Sequence, residues 1–167
     1  MNQAIRKQTR NNISKTVGLF LLIFAVANLA HARNNASKQM GTWKLNEAKS
    51  KLVSGMTKNQ TVIYTTLGNK IMVTVDGADP AGKPTHNEWT GKFNGKDYPV
   101  IGDPATDSRS YRVVDDHTLD LTNKKGGKVT TTARVVVSAD GKSRTITVHG
   151  KDVNGKKFTS VGVYDKG

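Results

Sequence analysis

The chain has 167 residues, no cysteine and a formal net charge of +13. Without cysteine it can form no disulfide, no thiolate-ligated zinc site and no iron–sulfur cluster. Aromatic residues are only 6% of the chain and arginines are few, so the basic excess lacks the aromatic and arginine interleaving of a nucleic-acid surface; no specific nucleic-acid partner is expected.

The N-terminus is basic, with Arg6, Lys7, Arg10 and Lys15 and no acid in the first sixteen residues. An apolar run from Val17 to Leu29 follows and ends in Ala30-His31-Ala32. Basic front, short apolar middle and small-x-small end are the signature of a secretory signal peptide. The run is shorter than the roughly 20 apolar residues of a membrane-spanning helix. The expected organisation is a leader over residues 1–32, a flexible segment over 33–40 and one domain over 41–167. Four of the 26 basic residues and none of the 13 acids lie in the leader, so the mature chain carries 26 − 4 − 13 = +9. An exported chain without cysteine must be held by its core alone, which points to a bacterial periplasm or exterior.

The first predicted strand is Gly41–Leu45. After it, Asn46 is placed to cap one or two helical turns over Glu47–Leu52. Beyond Gln60, turn signals recur every 10 to 15 residues: Leu67-Gly68-Asn69-Lys70, Asp76 to Pro84, Asn94-Gly95, Asp115-Asp116, Gly126-Gly127, Asp140-Gly141 and Asn154-Gly155. Asn-Gly and Asp-Gly supply the positive φ of tight hairpins. Between them residues alternate. Ile71, Val73 and Val75 share one face; so do Leu119 and Leu121; Val129, Thr131, Ala133, Val135 and Val137; and Ile146 and Val148. Period-two alternation with one apolar face means half-buried antiparallel strands. About ten strands are expected on this pattern, the last over Lys156–Asp165, with a loop at Ile101–Ser108. No long amphipathic helix is available to cover a flat sheet, so the sheet must close on itself or stack on another. A sequential meander closes most simply as an all-β, antiparallel up-and-down barrel; a sandwich of seven to ten strands is the alternative.

The segment Gly41-Thr42-Trp43-Lys44-Leu45 resembles the first strand of the calycin barrels, the lipocalins and the intracellular fatty-acid-binding proteins. The last strand, Val163-Tyr164-Asp165-Lys166, is similar to the closing Arg-x-Tyr-x-Lys of the fatty-acid-binding proteins. In that family the motif's Arg and Tyr hold a fatty acid's carboxylate. The resemblance therefore implies a ligand role for Tyr164, while Gly162 stands where the family has arginine, and the family's helical lid has no counterpart between Leu45 and Gln60. The stretch Gly95 to Pro104 also resembles a group of uncharacterised exported bacterial proteins, which implies export and no particular activity.

Patterns for catalysis and metals fail one by one. His86, His117 and His149 are too widely spaced for a zinc site. His86-x-Glu88 reads as an ion pair on a strand face. Gly141-Lys142-Ser143 resembles the end of a phosphate loop, but Val136 occupies the position of its first glycine. Asp152-Val153-Asn154-Gly155 leads into Lys156 and Lys157, which would repel calcium. No serine sits in a nucleophile elbow. The expectation is a binding protein, not an enzyme, with no cofactor and no metal. A barrel of this size has room for one small ligand or is packed solid. The candidate lining is Tyr164, Trp89 (sharing a face with Asn87 and Thr85), Tyr111 and Tyr64, with Tyr64 and Tyr98 open between lining and surface. Arg112 joins them only if a bulge inverts its strand parity and brings it in to supply the cation missing at Gly162. Trp43 reads as structural, closing the barrel base. The expected partner is a small apolar or amphipathic molecule bound by a monomer. The alternative is a basic cell-envelope module that sits on anionic lipid or polysaccharide.

Overall fold

The computed structural model of the protein describes residues 37–152 and 154–167; the leader expected over residues 1–32 lies outside them. Ten strands run in sequence: β1 Gly41–Leu45, β2 Lys58–Leu67, β3 Lys70–Ala78, β4 Pro84–Gly91, β5 Tyr98–Ile101, β6 Ser108–Val113, β7 Thr118–Lys125, β8 Lys128–Val137, β9 Ser143–Lys151 and β10 Lys157–Lys166. Each pairs antiparallel with its neighbour in the chain, and β1 closes on β10 through Trp43↔Lys166 and Leu45↔Tyr164. The result is a closed, calycin-like up-and-down barrel; the sandwich alternative is overturned by this ring.

Local chemistry explains the elements. Between β7 and β8, Gly126 and Gly127 take φ of 55° and 74° in succession, the two positive angles that a two-residue hairpin requires. The expected helical stretch after β1 is a single 3-10 turn, Glu47–Lys49, whose cap Asn46 accepts from Lys49 N at 3.2 Å through its side chain. It stops there because Asn46 N and Lys51 N donate to the β10 carbonyls of Val163 and Val161, holding the chain extended beside that strand.

The barrel has two unlike ends. At the base, residues 37–40 dock beneath the strands. Trp43 Nε1 donates to Gln39 O at 2.8 Å, and Gln39 Nε2 donates to His117 O at 3.1 Å. The His117 ring sits between Lys38 Nζ and Val137 O, so Nδ1–H faces the carbonyl and Nε2 accepts from the ammonium. Trp43, Leu119 and Val135 are wholly buried here. Toward the opposite end, the rim, exposure rises along the inward faces of β8 and β9. On β8 the series is Val137, Val135 and Ala133 buried, Thr131 half-buried and Val129 exposed. On β9 only Arg144 is buried, with Ile146 and Val148 half-buried above it. Along β8 and β9 solvent therefore reaches about halfway down the inside, while on β3 and β6 Gly77 and Arg109 stay buried near the rim; the lower half is filled by the protein's own side chains.

One glycine marks where β2 and β3 come closest. A Cβ on Gly77 would lie 2.1 Å from the Lys58 carbonyl oxygen, beside the bulge that shifts the β2 register between Asn59 and Thr61. Backbone cannot retreat as a side chain can. Gly77→Ala is expected to lower stability by about 1–3 kcal/mol, the usual cost of overpacking, seen as a lower urea midpoint at unchanged slope.

Candidate binding site

Strand parity carries four of the five candidate lining residues inward. Tyr64, Trp89, Tyr111 and Tyr164 are all buried. Trp89 and Tyr111 meet edge-on at 4.7 Å between ring centroids, and Tyr64 and Tyr111 at 6.2 Å. Phe93 stacks on Trp89 at 6.1 Å, and Tyr98 meets the same indole edge-on at 5.6 Å, which settles Tyr98 as a lining residue. Gly91 makes room for this cluster: a Cβ there would lie 2.6 Å from both the Trp89 and the Tyr98 rings. The indole donates from Nε1 to Arg109 O at 2.8 Å.

Tyr164 belongs to the other side of the barrel. Its ring leans back over Gly162, where a Cβ would come within 3.0 Å of Tyr164 Cε2, and its hydroxyl donates to Asn59 O at 2.8 Å. A side chain at position 162 would press on that ring, which would have to give by a few tenths of an ångström to admit even a Cβ. Burial pushes the Tyr164 phenol up to about 12 and the Tyr111 phenol higher still. Both stay protonated at physiological pH, so neither brings a negative charge inside.

The fifth candidate, Arg112, stays outside. The bulges of the sheet fall at Asn59/Thr61 and Asn123/Lys124, not in β6, so parity holds. Its guanidinium lies 2.6 Å from Asp120, which Arg134 also grips at 2.8 Å. These two arginines, the Arg134 hydrogen bond foremost, hold the Asp120 carboxyl below its usual range. The outer wall shows the same logic at His86, which pairs across strands with Asp76 at 2.6 Å and more loosely with Glu88 at 3.4 Å.

Among the described residues, two buried cations face inward, Arg109 and Arg144, neither of them among the sequence candidates. Lys166, exposed at the base, lies over the Trp43 ring from outside at 5.0 Å. Arg109 is satisfied: Nε donates to Asn123 Oδ1 at 2.7 Å, Nη1 reaches Asn87 Oδ1 at 3.5 Å, and Nη2 lies 3.8 Å from Asp103. Arg144 is not. Its guanidinium carbon lies 4.8 Å from the Trp43 ring centroid, 4.9 Å from Tyr64 and 5.2 Å from Tyr164, yet Nε, Nη1 and Nη2 have no hydrogen-bond partner. The Gln39 Oε1 acceptor near this base is also unpartnered. The signal for Arg144 was present in parity, because it stands two residues before Ile146 on the same face. Arg109 likewise stands two before Tyr111.

The inner surface thus has three levels. At the base, ring faces enclose an unneutralised cation. At mid-depth, Leu45, Leu121, Ile146 and Val148 form a half-buried apolar wall, with Ser160 beside it. Toward the rim, Asn87, Arg109, Asn123 and Thr131 join in a hydrogen-bonded polar belt. No group of three or more His, Asp or Glu able to hold a metal occurs among the described residues. What this arrangement offers chemically is apolar contact, a buried positive charge and hydrogen-bond donors.

No protein-family model and no curated protein matches the sequence. Solved structures similar in fold include EF1p2_mFAP2b bound to DFHBI, at 11% identity over 80% of this chain and 98% of that one, with a TM-score of 0.48. Lobster apocrustacyanin A1 is similar at 12% identity over 81% of this chain and 64% of its own, with a TM-score of 0.40. Apocrustacyanin C1 is similar at 13% identity over 81% and 62%, with a TM-score of 0.37. The chain spans less than two thirds of either crustacyanin chain.

Proposed function

We propose that this protein is an exported binder of a small amphipathic molecule with an acidic end, held in the upper half of the barrel. The observation that carries the reading is a solvent-reached apolar wall, Leu121, Ile146 and Val148, above a buried guanidinium that no acid among the described residues neutralises. Half-buried apolar side chains inside a barrel leave favourable burial unused, at about 25 cal/mol per Å² of apolar surface. A buried cation without a carboxylate is costly unless a partner arrives. An acidic amphipath answers both conditions: its chain covers the wall and its charge faces Arg144. Export rests on the basic and apolar leader ending at Ala30-His31-Ala32; protein isolated from its host should begin at Arg33 when its N-terminus is sequenced.

The binding test is thermal. A ligand at a hundred times its dissociation constant stabilises the folded state by about 2.7 kcal/mol, several degrees for a domain of this size. Medium-chain fatty acids should produce such a shift in the wild type. Val148→Trp, which fills the cup from a half-buried position, should fold and show none. A wild type that no member of the panel shifts, or an equal shift in V148W, defeats the proposal.

A further inference from the structure

The basic residues are not spread evenly over the barrel; one arc of the rim gathers them. The β7–β8 tip carries Lys125 and Lys128, and the β9–β10 tip carries Lys151, Lys156 and Lys157. The tips are neighbours, because β8 pairs with β9 through Thr131↔Gly150. Two acids sit among them, and both carboxylates are engaged by the turns. Asp107 accepts from Gly126 N at 2.7 Å, and Asp152 accepts from Asn154 N and Lys156 N at 2.9 Å. No ion pair joins any of the five lysines to a carboxylate among the described residues; the ion pairs of the rim and walls involve other lysines, such as Lys58 with Glu47 and Lys124 with Asp97.

The same arc exposes apolar side chains. Val129, beside Lys128, is 58% exposed; Leu52 and Met56, on the segment that runs past β10 to the rim, are 39% exposed each. From the tips an open groove of about 650 Å³ starts at Val129, Gly150 and Phe158 with Lys151 and Lys157 and continues onto the outer wall of β8–β10 over Thr132, His149 and Thr159. Phe158 covers Gly150 closely, since a Cβ there would lie 2.8 Å from its ring. Lysines alone would suit any polyanion. Lysines around protruding apolar side chains and a headgroup-sized groove suit a surface that is anionic outside and apolar just beneath.

We propose that this arc docks on anionic phospholipid bilayers, the lysines meeting headgroup phosphates while Leu52, Met56 and Val129 enter the headgroup–acyl boundary. The interaction does not depend on the cup, so V148W should bind vesicles as the wild type does.

The test is co-sedimentation of the protein isolated from its host with vesicles of phosphatidylcholine, alone or mixed evenly with phosphatidylglycerol. Wild type should pellet with the mixed vesicles at low salt, release steeply as salt rises, and ignore phosphatidylcholine alone. Four charge reversals at the tips, K125E, K128E, K151E and K157E together, should weaken partition by two orders of magnitude or more, since each lysine at such a surface is worth about fivefold. Four reversals away from this arc, K70E, K92E, K96E and K142E, change the net charge equally and should cost less than tenfold. Both variants share whatever remains of the segment before residue 37 after export, so its contribution cancels. If the tip variant fails to fold, K128Q and K157Q, one per hairpin, should each still lower partition several-fold. Equal losses in both quadruple variants, or no pelleting by the wild type, overturns the proposal. So does tip-dependent retention on acidic polysaccharide or duplex DNA without retention on the vesicles.

Discussion

Trp89→Ala should destabilise the protein by about 3–5 kcal/mol, the range for emptying a large aromatic site in a packed core. The indole is the hub of the lower barrel. It touches Phe93, Tyr98 and Tyr111 and is almost fully buried. Three terms add. The transfer energy of the ring is lost, the neighbouring aromatics lose their edge and stacking contacts, and the Arg109 carbonyl loses the donor that met it at 2.8 Å. Collapse cannot recover much, because β4 is pinned through its whole length to β3. Against a total of about 5–15 kcal/mol for a domain, this one change should shift the urea midpoint by a large fraction of its value. A loss under about 1 kcal/mol would mean that the cluster is loosely packed and that the lower barrel is not the solid plug described above.

That plug also shows what was legible in the sequence. Strand number, order and parity followed from period-two alternation punctuated by Gly turns, so the inward set Tyr64, Trp89, Tyr111 and Tyr164 could be placed without coordinates. Turn chemistry was equally legible at Gly126-Gly127, where two consecutive positive angles leave few alternatives. Arg144 and Arg109 obeyed the same parity but were overlooked, because arginine is by default an outer residue. The rings of β1, β2 and β10 converging on one point surround the Arg144 guanidinium, and that convergence is a property of closure, not of any one strand. The depth reached by solvent was illegible for a related reason. Trp89, Phe93, Tyr98 and Tyr111 crowd together, while Ser160, Gly150 and Gly162 stand across the barrel, and no single strand records that imbalance. The docking of Gln39 beneath Trp43 depends on a carbonyl meeting an indole four residues away, which composition does not reveal.

Arg144→Met should leave the fold standing and remove the preference for an acid. In the unliganded barrel two large terms oppose each other. Taking a guanidinium out of water costs several kcal/mol, and here none of its nitrogens recovers a hydrogen bond. Contact with an aromatic face returns about 2 kcal/mol when desolvated, and three rings lie within 5.2 Å. The terms nearly cancel, and methionine fills a similar volume with a polarizable chain suited to aromatic neighbours. Stability should therefore change by less than about 2 kcal/mol, far less than in Trp89→Ala. Binding has no such cancellation. Arg144 exposes no nitrogen to the cup, so an acid there acts on it through space. Opposite charges roughly 8–10 Å apart at an effective dielectric of about 20 are worth about 2 kcal/mol, and the wild type should prefer a fatty acid over the alcohol of equal chain length by about ten- to thirtyfold. In R144M the two dissociation constants should converge, with the alcohol's little changed because the apolar wall is intact. Arg144→Lys keeps the charge and should retain most of the acid preference. Equal acid preference in wild type and R144M would show that the guanidinium serves only to brace Trp43, Tyr64 and Tyr164, and that whatever the barrel holds is not read through its charge.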